Sequence, residues 1–188
     1  MFIPCYAIVL MGIDWIHRAN ATFMTTFPLL VFTFFLTLLL PLLTCLWLVH
    51  RGRVSDMMME NAAERRVPYI TSLIYMFTWS LMLHTIWQLP DAVWQCAMAA
   101  TAALAGVAII NRKWKISIHL ASFGSFLGSC FTYCYSFGLL HFWLFLTLFG
   151  IALLLMSARL LLNAHTPLQV VCGFLLGLTL TMIPALWL

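Results

Sequence analysis

Residues 27–49 read FPLLVFTFFLTLLLPLLTCLWLV, a run without one charged side chain. A helix rises about 1.5 Å per residue, so roughly 20 apolar residues cross the hydrocarbon of a bilayer. This run is long enough, and Pro41 inside it predicts a kink. The rest of the chain repeats the pattern. It has 188 residues, 64% hydrophobic and 7% charged, where a soluble domain carries about 25% charged residues. Nine basic and five acidic residues cannot solvate a water-soluble surface of this size. That composition excludes a soluble globular enzyme, a nucleic-acid-binding module and a disordered chain. The expected class is an all-α polytopic transmembrane helical bundle of six or seven spans, one domain over residues 1–188. Seven spans use roughly 140 residues. No soluble domain is left to carry chemistry, so any site must lie on or between the helices.

The predicted spans cover about 2–16, 25–49, 68–88, 92–110, 117–137, 140–160 and 167–187, the first being short. Leu89-Pro90-Asp91 makes a tight turn between two of them. Trp15, Trp47, Trp87, Trp94, Trp114 and Trp187 fall near proposed span ends, where an interfacial aromatic belt places them. Gly124 with Gly128, and Gly173 with Gly177, are each four residues apart. That spacing predicts faces where helices approach closely. The six cysteines (Cys5, Cys45, Cys96, Cys130, Cys134, Cys172) form no CxxC pair and sit mostly inside apolar runs. They read as small hydrophobes and identify no redox compartment. The N-terminus lacks a basic region before its apolar stretch, so no cleaved signal peptide is expected.

Charge placement is the first functional clue. The polar loops after the second, fourth and sixth spans fall on one face, because two crossings separate each from the next. That face holds Arg51, Arg53, Arg65, Arg66, Arg112, Lys113, Lys115 and Arg159, eight of nine basic residues; Arg18 lies elsewhere. The positive-inside rule alone makes this face cytoplasmic, and an anion site would gather the same charges. Setting aside Arg65, Arg66, Lys113, Lys115 and Arg159 as possible phosphate contacts leaves three against one. The side therefore stays open. The expected location is an integral membrane protein of the cell (inner) membrane.

The most informative segment is SARLLLNAHTPLQ, residues 157–169. Arg159 ends a long apolar helix and His165 follows six residues later. Thr166 and Pro167 then have the chemistry of an N-cap and a first helical residue. His165 would sit just outside a helix N-terminus, whose free N–H groups and partial positive charge suit a phosphate. Arg159 can add bidentate contacts to phosphate oxygens. A second segment, KWKISIH at 113–119, sets Ser117 and His119 where a basic loop enters a helix. A histidine at membrane level is by default a functional hypothesis. A third, ERRVP at 64–68, enters the next span on the same face.

These segments resemble the type 2 phosphatidic acid phosphatase superfamily of integral membrane lipid phosphatases. The family's third motif, SRxxxxxHxxxD, is matched by Arg159 and His165 at the same spacing, with Ala158 for the serine and Gln169 for the aspartate. Its second motif, PSGH, is matched by Ser117 and His119, with Ile116 and Ile118 for proline and glycine. Its first motif, KxxxxxxRP, survives as Arg66 with Pro68 one place late, and Met59 takes the lysine's place. The run HTxxQVxxG at 165–173 is similar to the dolichyl-diphosphatase branch, in which glutamine replaces the aspartate. The resemblance covers roughly residues 50–175. Here two spans separate the first two motifs, which usually share one loop.

The resemblance implies hydrolysis of a phosphate or diphosphate monoester on a lipid or polyprenyl carrier. It implies His165 as nucleophile, through a phosphohistidine, and His119 as the acid for the leaving oxygen. Arg159, Arg66 and Lys115 would hold the phosphoryl oxygens, with a hydrogen bond from Ser117. Phosphoryl transfer needs positioning and charge neutralisation above all, and two histidines can supply base and acid near pH 7. Asp14 and Asp91 lie at the opposite face, so a mechanism without metal or cofactor is expected. Gln169 would orient the imidazole, and Thr166-x-x-Gln169 equally reads as a capping box. The bland alternatives are a helix-end histidine with a snorkelling arginine, an N-cap serine, and basic interface anchors. His84 reads as a mid-span histidine with a hydrogen-bonded packing role. Two rival functions remain: a degenerate lipid-phosphate binding or transport protein, and a haem protein using His119 and His165 as axial ligands. The partners expected are the bilayer and the lipid substrate, with no nucleic acid. Nothing in the chain sets the oligomeric state.

Overall fold

The structure is a computed structural model that describes residues 5, 8–12, 23–56, 59 and 63–187. Among these residues every regular element is helical. Helix α1 (Phe23–Phe34) passes through a π-helical turn (Phe35–Leu39) into α2 (Leu40–His50). There follow α3 (Arg66–Thr85), α4 (Asp91–Ile110), α5 (Ile118–Ser136), α6 (Phe142–Leu161) and α7 (Pro167–Met182), which ends in a 3-10 turn (Ile183–Leu186). These bounds lie within a few residues of the spans read from the apolar runs. The span expected over 2–16 falls largely outside the described residues, as do Asp14, Trp15, His17 and Arg18. Its described part is helical at residues 8–12, and Cys5, Ile8 and Val9 are fully buried in the core.

Four segments are long and apolar enough to cross a membrane: Thr26–His50, Asp91–Ile110, Phe142–Leu161 and Pro167–Leu186. On all but Asp91–Ile110, which packs Val93, Leu104 and Val107 inside, many large apolar side chains face outward. Leu154 is 72% exposed and Phe142 72%, and α6 as a whole buries only Leu148 and Ala152. A continuous apolar surface of this kind requires lipid around it. The chain is therefore a membrane protein. Helices α3 and α5 have 20 and 19 residues but carry more hydroxyl side chains. Burial explains the difference: α5 buries 12 residues against its neighbours, including Ser122, Ser125, Ser129 and Thr132.

The irregularity predicted at Pro41 takes the form of the π-helical turn just before it. The Leu40 N–H donates to the Phe35 carbonyl, five residues back. Proline has no N–H to give to the preceding turn and its ring crowds that turn's carbonyl, so the helix widens there. Side-chain hydrogen bonds then tie helix to helix. Trp79 Nε1 donates to Thr33 Oγ1 at 3.0 Å, linking α3 to α1. Ser80 and Thr101 hydroxyls lie 3.1 Å apart, linking α3 to α4. Thr132 Oγ1 donates to the Thr181 carbonyl at 2.7 Å, linking α5 to α7.

The closest approach in the bundle is that of α5 and α7, and glycine makes it possible. A Cβ on Gly177 would collide with the Ala121 carbonyl and stand 2.7 Å from the Ser125 nitrogen. One on Gly173 would stand 2.5 Å from the Ser117 carbonyl. Gly124 and Gly128 answer from α5, against the Phe174 carbonyl and Thr181 Oγ1. All four glycines predicted to mark packing faces thus lie in one seam. Gly177→Ala should destabilise the protein by roughly 3 kcal/mol, because the obstructing atoms are backbone of a packed helix. Gly150, with nothing near its would-be Cβ, should gain up to about 1 kcal/mol on change to alanine. Thermal unfolding in detergent of the two variants tests the contrast, and equal melting temperatures would contradict the seam.

Candidate functional site

At the basic end of the bundle lies a cavity of about 460 Å³. Its polar wall comprises Arg65, Lys115, His119, Arg159, Asn163 and His165, and its apolar wall includes Cys45, Pro68, Leu104 and Ile118. Three distant stretches meet there: the start of α3, the loop into α5, and the link from α6 to α7.

The link owes its shape to a sharp helix stop. The Asn163 N–H donates to the Leu160 carbonyl at 2.9 Å, and the Ala164 N–H reaches back to the Arg159 carbonyl at 3.2 Å. This is the Schellman arrangement, with Asn163 in the left-handed region at φ 50°. Asparagine adopts that conformation more readily than other side chains. The chain then turns at once into α7, capped by Thr166. The Thr166 N–H donates to Gln169 Oε1 at 3.1 Å, and the Gln169 N–H to Thr166 Oγ1 at 3.5 Å. The capping box read from the sequence is therefore present, with Thr166 as N-cap and Pro167 behind it.

His165 is held between two acceptors. Its Nδ1 lies 3.3 Å from the Lys115 carbonyl and 3.3 Å from Gln169 Oε1. The Thr166 N–H identifies that Gln169 atom as the oxygen. With acceptors on both sides, Nδ1 carries the hydrogen and Nε2 keeps its lone pair. Gln169 thus caps the helix and orients the imidazole with one oxygen. Burial moves the His165 pKa below its usual 6.5, and the charges of Lys115 and Arg159 push the same way, against the pull of its two hydrogen bonds. The shift favours the neutral ring.

Arg159 Nε is buried without a partner among the described residues. An unmet guanidinium donor beside a cavity is ready for an oxyanion. Arg65 is fixed in place: Nε donates to the Met59 carbonyl at 2.6 Å and Nη1 to Asn111 Oδ1 at 3.1 Å. Lys115 lines the cavity with its side chain while its carbonyl steadies His165.

Two expected phosphate contacts lie elsewhere. Arg66 lines a separate cavity of about 310 Å³ with Arg112, and Arg65 takes its place at the main one. Successive helical residues point about 100° apart, so adjacent arginines cannot face the same space. The signal that selects Arg65 is the stripe Arg65, Pro68, Tyr69 and Ser72, at helical spacing along one wall. Ser117 is wholly buried, its Oγ has no partner, and it is not among the lining residues. Its N–H donates to the Gln169 carbonyl at 3.3 Å, and its own carbonyl packs under Gly173. Ser117 holds the seam together rather than facing a ligand.

The helix end that faces the cavity also differs from expectation. At α7 the capping box and the Val170 N–H bond to Thr166 leave few open N–H groups. At α5, Ser117 makes no side-chain cap, and Ile118 and His119, its first residues, line the cavity. The open helix N-terminus is that of α5. His84 lies at the end of α3, its ring 4.5 Å from that of Trp94. It makes no hydrogen bond among the described residues, so its role is ring packing near the opposite face. Among the described residues no three His, Cys, Asp or Glu side chains converge; the cavity offers cations and imidazoles.

Asn163→Val should cost about 1–3 kcal/mol, because a β-branched residue resists a positive φ. Asn163→Gly should be nearly neutral. Melting temperatures in detergent distinguish the two, and a tolerated valine would refute the helix-stop account. Comparison with family models, curated proteins and solved structures finds no match.

Proposed function

We propose that the protein is an integral membrane phosphatase acting on a lipid or polyprenyl phosphate or diphosphate. The observation that carries this reading is the setting of His165: its Nδ1 is engaged by two acceptors, and the ring shares one cavity with His119, Lys115, Arg159 and Arg65. In the proposed reaction His165 Nε2 attacks phosphorus while the bond to the lipid oxygen breaks. With the phosphate anion bound beside it, His119 takes up a proton from water and gives it to that oxygen, then takes one from the water that attacks the phosphohistidine and frees phosphate. Arg159, Arg65 and Lys115 neutralise the equatorial oxygens, as phosphoryl transfer requires. A shallower depression at Asn163, His165 and Gln169 gives the same imidazole a second approach, from the aqueous side.

The same reading has six spans among the described helices, with α1 and α2 joined through the π-helical turn into one, and the segment over 2–16 as a seventh. The supporting argument is register. Helices α3 and α4 meet at one end through Arg65 and Asn111 and at the other through His84 and Trp94. If α4 crosses, α3 covers the same depth. The apolar wall of Cys45, Pro68, Leu104 and Ile118 continues the cavity toward the bilayer, which suits an amphiphile entering sideways. Gln169 brings no charge to the imidazolium, and that feature favours the rival reading of a lipid-phosphate binder without turnover.

His165→Ala should reduce phosphate release from lipid monophosphates and polyprenyl diphosphates in detergent to background. Unchanged turnover would sink the nucleophile assignment, and tight binding without release in the wild-type protein would favour the binder. The pH profile gives an independent check. A depressed His165 pKa keeps the nucleophile neutral to lower pH, so the acid limb of kcat/KM should lie below 6.5. Lys115→Met removes a cation that disfavours the imidazolium, so this limb should move up. A limb that stays still would dissociate His165 from the rate.

A further inference from the structure

The second cavity, about 310 Å³, opens where α3 begins and α4 ends. Arg66 and Arg112 flank it, Asn111 and Tyr69 line its back, and Ile70 and Ala108 form an apolar wall. Both arginines are exposed, and neither guanidinium meets a hydrogen-bond or ion-pair partner among the described residues. Asn111 is 3% exposed. Its Oδ1 is taken by Arg65, which leaves its amide group at the lining of the cavity. An amide beside two unpaired guanidinium groups matches the oxygens of a phosphate diester. Outward from the cavity the surface is apolar: Val67 is 44%, Ile70 49% and Ile109 64% exposed. A soluble anion would gain nothing from that side, whereas acyl chains would. The N-terminus of α3 adds partial positive charge and the carboxyl end of α4 offsets part of it, so the arginines carry the attraction.

We propose that this cavity binds the headgroup of an anionic phospholipid, its phosphate between Arg66 and Arg112 and its chains along Val67, Ile70 and Ile109. The site is distinct from the main cavity and does not depend on the phosphatase reading. It touches the main cavity only through Tyr69, which lines both, and through the Arg65–Asn111 bond.

The test uses the full chain in nanodiscs of mixed phosphatidylglycerol and phosphatidylcholine, with retained lipid counted by native mass spectrometry after release into detergent. The wild-type protein should retain phosphatidylglycerol selectively, and millimolar inorganic phosphate should not displace it. Arg66→Gln with Arg112→Gln should weaken retention about 30-fold, since each basic residue near an anionic surface contributes about fivefold. Arg53→Gln, which lies outside both cavities, should leave it unchanged. Equal retention by the double variant, or displacement by free phosphate, would overturn the proposal. A photoactivatable phosphatidylglycerol keeps it testable should the double variant aggregate. It should crosslink the wild-type protein at residues 63–70 and 108–112, and crosslinks confined to other peptides would refute the site.

Discussion

Contact between the backbones of α5 and α7 governs the arrangement of this protein. Where Gly173 and Gly177 meet the Ser117 and Ala121 carbonyls, no side chain separates the helices. In a bilayer helices gain little from burying apolar surface, since lipid is equally apolar, so close packing and hydrogen bonds must hold them together. The seam supplies the packing, and Thr132 to the Thr181 carbonyl supplies a bond. At its upper end the same contact brings the loop before α5 against the start of α7, with the Ser117 N–H on the Gln169 carbonyl. The Lys115 carbonyl is thereby set beside His165. The orientation of the imidazole is a consequence of helix packing some distance from it.

The economy of polar groups follows from the same setting. With 7% charged residues, each cation in or beside the membrane needs a place in water or a partner. Arg65 is tied to Met59 and Asn111, and Arg51 lies 5.6 Å over the Trp47 ring, a cation–π contact at the interface. Arg159, with a buried and unmet nitrogen, is the exception. In the proposed function this donor meets a phosphoryl oxygen.

Adjacent residues divide the basic face into two cavities. Arg65 looks into one cavity and Arg66 into the other, with Tyr69 and Asn111 as the partition. The net charge of +4 thus reflects more than topology. Part of it lines a cavity with two histidines, and part meets the apolar outer surface of α3 and α4. On the two proposals made above, these environments take different ligands: an ester that can reach His165, and a headgroup that stays on the lipid side.

Much of this was legible in the chain itself, because it rests on local physics. Apolar run length determined the helices and the membrane. Glycines four apart marked the seam, and Thr166-Pro167-x-Gln169 announced the start of α7. Histidines at helix entries pointed to His119 and His165. What only the tertiary structure decided was direction. Which of Arg65 and Arg66 enters the cavity depends on the rotation of α3 against α4. Whether Ser117 faces a ligand or a glycine depends on how near α7 lies, and which helix end stays open depends on how completely its cap is satisfied. A rotation of about 100° per residue separates one face of a helix from the next, and packing with other parts of the chain, distant in sequence, selects among them.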